Sequence, residues 1–287
     1  MDYTNRGTRG HSSNRNRGRG AQPRGGREDR GGHGQHGRGR ANTSRGSRTG
    51  GQPNFVPYVQ PSFAPEAILD LHRTNESDFN FKFNQPGIQC VKFGDFDVKD
   101  SHLQAMSSVP GLMNSLQVLF LGDSDTGSGW LLTDIGVQSF LSHATNLVSL
   151  SLDACTKLTN ETLIYALESC PRLEYLRITG HDKLKGKIDE SVFQIMKERE
   201  NLGANLKELV LYDQYISTSE AEFKDFSIAR KDLIIGTGET LGDGMGANML
   251  AALTGGASLT AWKDGKVVHE KTDMGFYGPG GYEIDFY

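Results

Sequence analysis

A six-residue phrase recurs in this chain. Leucine or isoleucine fills its first, fourth and sixth positions in Leu116-Leu119-Leu121, Leu147-Leu150-Leu152, Leu173-Leu176-Ile178 and Leu206-Leu209-Leu211. A weaker copy, Ile88-Val91-Phe93, precedes them. Successive starts lie 28, 31, 26 and 33 residues apart. That interval suits one short strand and one helix. A unit so small cannot bury its own apolar face, so neighbouring units must stack. The phrase therefore predicts an α/β fold over residues 88–216: a short solenoid of about four to five strand–helix rungs, with a parallel sheet on its concave face.

The segments between copies read as helices. Thr133 can cap "DIGVQSFLSHA", where Ile135, Val137, Phe140 and Leu141 are apolar. Thr159 can cap "NETLIYALESC", where Leu163, Ile164, Leu167 and Cys170 form one stripe. "DESVFQIMKER" supplies Val192, Phe193, Ile195 and Met196.

The stretch "LVSLSLDACTKLTNETLIYALESCPRLEYLRI" resembles the cysteine-containing leucine-rich repeat of F-box-type, ribonuclease-inhibitor-like proteins. Cys155 stands eight residues after Leu147, and Cys170 three before Leu173. Asn160 replaces the family's usual Asp, and neighbouring rungs carry Ser124, His181 and Gln214 at the Cys155 position. The resemblance implies a repeat scaffold that binds other proteins. It places Cys155 and Cys170 at structural corners, as small buried hydrophobes. No C-x-x-C or H-x₃₋₅-H spacing supports zinc. With Cys90 the chain has three cysteines, an odd count that suits a reducing compartment.

Strand side chains alternate, so the residues between the leucines line the concave face. That predicts Val118 and Phe120, then Ser149, Ser151 and Asp153, then Tyr175, Arg177 and Thr179, then Glu208, Val210 and Tyr212. Phe120, Asp153, Tyr175, Arg177, Glu208 and Tyr212 are expected to contact a protein partner, because exposed aromatics and arginine are interface residues. The competing reading is that flanking segments fold over this face and bury it.

Charge divides the chain. Residues 1–53 hold 12 Arg, no Lys and three acids, a formal charge of +9; the whole chain is −4, which leaves −13 on residues 54–287. Large aliphatic residues are absent between Met1 and Val56, so the tail reads as disordered. Arg6, Arg9, Arg17, Arg19, Arg24, Arg30, Arg38 and Arg45 each precede a glycine. The tail resembles the RGG/RG segments of RNA-binding proteins, whose guanidinium groups pair with phosphates and stack on bases. RNA or another polyanion is its expected partner, and arginine methylation its expected modification.

The flanks say less. Residues 54–87 read as a capping segment. Pro57, Pro61 and Pro65 break the helices an F-box needs, which weighs against the alternative of a ubiquitin-ligase substrate adaptor. Residues 217–287 lose the repeat and contain a probable hairpin at Asp264-Gly265 and a glycine- and aromatic-rich end. A nucleotide-binding or hydrolase reading of residues 233–256 is the second alternative. It lacks the Lys-Ser/Thr of a phosphate loop, and Glu239 and Asp243 would repel phosphate. "GDSDTGSGW" lacks the third acid and the terminal Glu of a calcium loop. No nucleophile–base pair emerges. No apolar run approaches the length of a membrane span, and no secretory leader is visible. The expectation is a non-enzymatic interaction protein without cofactor or metal, in nucleus or cytoplasm.

Overall fold

The computed structural model describes residues 57–72, 74, 76–94, 96–123, 126–181, 183–240 and 257–273. They all belong to one compact unit, Thr49–Tyr287. The tail with its eight Arg-Gly arginines, most of the glycine loop of residues 233–256, and residues 274–287 lie outside the described residues.

Nine strands form one sheet: β1 (Ile68–Asp70), β2 (Cys90–Lys92), β3 (Val118–Leu121), β4 (Ser149–Leu152), β5 (Tyr175–Thr179), β6 (Glu208–Tyr212), β7 (Ile234–Gly238), β8 (Ala257–Lys263) and β9 (Lys266–Asp273). Their spatial order is their chain order. The first seven pair in parallel, and β8 and β9 are antiparallel. Between them run α1 (Phe79–Phe83), α2 (Asp100–Ser107), α3 (Pro110–Ser115), α4 (Asp134–Leu141), α5 (Asn160–Ser169), α6 (Ser191–Glu198) and α7 (Glu220–Ala229).

The repeated phrase sets the register. Leu119, Leu150, Leu176 and Leu209 stand directly beside one another, and Leu69, Val91 and Ile235 extend the row to either side. Leu121, Leu152, Ile178 and Leu211 make a second row. Both rows are buried against the helices in a core that continues from Leu69 to Trp262. Stacking thus buries what no single unit can.

The parallel array exceeds the expected four to five rungs. It begins at β1 and continues through α7 and β7. In both added units an acid stands where the phrase opens with leucine: Glu66 before Leu69, and Asp232 before Ile235. Register, and not the first leucine, defines these strands. Among the described residues of 57–87, β1 and the five-residue α1 stand where an F-box would need three helices.

The helix starts are stitched together. Thr133 caps α4, accepting from the Gly136 N–H at 3.3 Å. Its own N–H and hydroxyl donate to Asp100, the first residue of α2, at 3.0 and 2.7 Å. Thr159 caps α5 and donates in the same way to Asp134, the first residue of α4, at 2.9 and 3.0 Å, where the Thr162 hydroxyl joins it. Asn160 continues the series by exchanging two hydrogen bonds with Asp189. Each carboxylate also sits at a helix N-terminus, where the backbone dipole favours negative charge. One correction concerns α4: Ile135 points to solvent, while Val137, Phe140 and Leu141 form the buried stripe.

The array ends in a hairpin. Asp264 and Gly265 both have positive φ, 47° and 72°, the backbone that a tight two-residue turn between twisted strands requires. Trp262 of β8 is buried and stacks on Phe223 of α7 at 6.4 Å. No helix among the described residues is long and apolar enough to cross a membrane.

Candidate functional site

The sheet face opposite the core carries two rows of side chains. The first runs Ile68, Cys90, Val118, Ser149, Tyr175, Glu208 and Ile234; the second runs Asp70, Lys92, Phe120, Ser151, Arg177, Val210 and Gly236. Asp153, Thr179 and Tyr212 follow at the strand ends. The structure therefore brings Phe120, Asp153, Tyr175, Arg177, Glu208 and Tyr212 to one face, and divides them between an open part and a covered part.

Asp153 organises the open part. The Arg177 Nε donates to its Oδ1 at 2.7 Å, the Thr179 hydroxyl donates to the same oxygen at 3.1 Å, and the Ser151 hydroxyl donates to Oδ2 at 2.7 Å. The ion pair is diagonal, because Ser151 is the residue directly opposite Arg177. The two side chains are 16% and 22% exposed, so solvent screens the pair only in part. Burial works against the charge of Arg177, but Asp153, Tyr175 and Tyr212 together outweigh it and the guanidinium holds its proton more tightly than usual. Its carbon lies 5.8 Å from the centre of the Tyr212 ring. Three strands away, the Lys92 ammonium stands 5.4 Å over Phe120. Both are cation–π arrangements on an outward-facing surface.

The covered part lies beneath residues 57–64. This segment is neither helix nor strand and is extended at Ala64, consistent with Pro57 and Pro61. The Tyr58 N–H donates to the Glu208 Oε2 at 2.9 Å, and the Tyr58 ring stacks on Tyr175 at 5.2 Å. From β6 the segment must cross the sheet to reach β1. Most of the row along that path is closed to water: Cys90 is 3%, Val118 1%, Ser149 0% and Glu208 5% exposed, while Ile68 and Tyr175 are half-buried. The flanking chain thus folds over this row, while Phe120, Asp153, Arg177 and Tyr212 remain partly open. Burial drives Glu208 above the usual carboxylate range, partly offset by the Tyr58 N–H and by Arg177. Burial, with Glu174 nearby, pushes the Tyr58 phenol up to about 12. Burial likewise raises Tyr175 and Tyr212.

The cysteines are separate, free and buried. The Cys155 thiol donates to the Asp153 carbonyl at 3.4 Å, and the Cys170 thiol to the Ala144 carbonyl at 3.6 Å. At the Cys155 position of a later unit, the Gln214 amide accepts from the Ile188 N–H and donates to the Ile178 carbonyl. Groups of three or more metal-ligating side chains are absent among the described residues. Asp123, in the calcium-like loop, accepts from the Thr126 N–H. A cleft of about 710 Å³ between the ends of α5 and α6 is lined by Leu167, Pro171, Arg199 and Asn205, none of them on the sheet face.

No protein-family model matches the sequence, and no curated protein matches it. Among solved structures, the chain is similar to an internalin C2 of Listeria monocytogenes str. 4b F2365. The two are 19% identical over 59% of this chain and 69% of that one, with a TM-score of 0.36. A likeness of that size carries no weight for function.

Two residues at the face, Lys92 and Tyr58, are not among the six expected from strand alternation. Lys92 occupies the same row as Phe120 and was readable from the weak copy Ile88-Val91-Phe93. Tyr58 had no local signal beyond its proline neighbours. Away from the face, in the loop after β3, the Trp130 indole N–H donates to Asp97 at 3.1 Å, and Lys157 stands 5.0 Å over its ring.

Proposed function

We propose that this chain is a non-enzymatic interaction protein of the nucleus or cytoplasm. Its sheet face binds a protein partner, and its RG-rich tail binds RNA or another polyanion. The observation that carries the reading is the open part of the face. There Arg177 and Tyr212, with Phe120 and Lys92 further along, stand outward on adjacent rigid strands, and Asp153 fixes the arginine through a shared set of hydrogen bonds. Aromatic rings and arginine held in one geometry lose little entropy on binding and supply the composition of an interface centre. The finer type, a cysteine-containing F-box-like repeat, rests on the match around Cys155 and Cys170.

For the tail, the support is its charge of +9 and its eight Arg-Gly steps. Phosphate contacts by arginine release counterions, so RNA affinity falls steeply with salt.

One experiment tests both halves. RNA crosslinking and partner mass spectrometry are run on the full chain and on two full-length variants. In the first, the eight Arg-Gly arginines become glutamine; in the second, Phe120 and Tyr212 become alanine. RNA recovery should fall only in the first, and the protein partner only in the second. Equal RNA recovery from all three removes the tail reading; an unchanged partner set removes the face reading.

A further inference from the structure

The chain supplies an occupant for its own sheet face. Residues 57–64 join none of the nine strands. Two contacts of Tyr58 anchor them: its ring on Tyr175 and its backbone N–H on the Glu208 carboxylate. Val59 is 78% exposed, so the segment presents an outer side to solvent, as a bound peptide does.

The fit is incomplete. The Ser149 hydroxyl lies fully buried in the covered row and lacks a hydrogen-bond partner, and so does the buried Tyr58 hydroxyl. Native interiors satisfy such groups, and each exception asks for an explanation. The Tyr58 hydroxyl belongs to the segment itself, and Ser149 stands directly beside Tyr175, the residue on which the Tyr58 ring lies. A ligand that met the Ser149 hydroxyl would fit the row better than the chain's own segment does.

We propose that Pro57–Ala64 is an exchangeable intramolecular ligand. The covered row would then be the docking site for an extended, proline-punctuated segment of a protein partner. That segment lays an aromatic ring on Tyr175, donates a backbone N–H to Glu208, and offers a polar group to Ser149. The inference rests on the reading of the sheet face as a partner surface, and it names what the covered part of that face takes. Proline holds such a segment extended before it binds, which lowers the entropy lost on docking. The tether gives the chain's own segment a high effective concentration, so a partner must outcompete it.

The probe is a fluorescent peptide of residues 54–64, "NFVPYVQPSFA", read by anisotropy against the full chain. Full-length Tyr58→Ala should bind it saturably, and the wild-type chain at least about tenfold more weakly, because its own segment holds the site. Tyr175→Ala added to Tyr58→Ala should abolish binding, as should alanine at the peptide's tyrosine. No binding to the Tyr58→Ala chain, or equal binding to both chains, overturns the proposal. Hydrogen exchange on the unmodified protein gives a second reading. The Tyr58 amide should exchange at least about a hundredfold faster than the Leu150 amide; exchange only with global unfolding would show a permanent element and overturn it. A dimer held by Tyr58 would replace it with arm exchange between copies. None of these readouts uses the Phe120/Tyr212 variant, so failure here is separate from failure of the face reading.

Discussion

The Tyr58 ring lies on the Tyr175 ring with planes 22° from parallel, while its N–H reaches Glu208 across 150 residues of sequence. The contact turns part of a binding-type surface into an interior. It leaves a carboxyl group in a place that disfavours its charge.

Glu208 makes that cost visible through pH. Its folded pKa is raised by burial. A carboxyl raised on folding contributes no penalty below its unfolded pKa of about 4.3, and destabilises increasingly as pH climbs through the folded value. Glu208→Gln keeps an acceptor for the Tyr58 N–H and removes the charge. The variant should melt above wild type at pH 7, and the gap should close as pH falls below about 4. Melting curves across that range check it.

The ion pair on the open part predicts an asymmetry. Asp153→Ala strands Arg177 and frees the Thr179 and Ser151 hydroxyls, and should cost about 3 kcal/mol. Asp153→Leu combined with Arg177→Met should recover most of that loss, since neither charge is then left alone. Urea denaturation of Asp153→Leu, Arg177→Met and the double closes the cycle.

The stitched helix starts predict damage larger than one cap. Asp134 accepts from two groups of Thr159 and from Thr162. Asp134→Ala should cost about 3 kcal/mol, more than the roughly 1 kcal/mol typical of losing an N-cap. Asp134→Asn should lose about half as much, because its amide keeps one acceptor oxygen. Midpoints should shift in urea with unchanged slopes.

The thiols should be nearly inert in the native protein. Burial pushes Cys90 up to about 11 and Cys170 up to about 12, and holds Cys155 well above its usual range. The thiolate is the reactive form. A chromogenic disulfide reagent at pH 8 should therefore react slowly with the folded chain and rapidly with all three thiols after denaturation. A fast native phase would contradict the burial of the cysteines.

The central strands were legible because leucine fills every core position of four copies. The outer units were not, since Glu66 and Asp232 break the phrase while the backbone register carries on. The six residues chosen for the face do share a face, because strand alternation is a local rule. Which of them water reaches was not legible. Pro57, Pro61 and Pro65 announce an extended segment, but what it lies on depends on strands far along the chain. Asp153 and Arg177 sit 24 residues apart, and only the register brings them to a diagonal.

The position of Tyr58 also bears on the order of assembly. Units in this sheet pair with their immediate neighbours, so most of the fold can grow locally. Residues 57–64 are different: they are synthesised before any strand of the sheet, yet their anchors on β5 and β6 are made more than a hundred residues later. The segment can take its place only after the sixth strand has joined the stack. Its docking therefore marks the arrival of the sixth strand, before β7, β8 and β9 are added. A chain stalled short of β6 leaves the covered row exposed, and one that has passed β6 can close it.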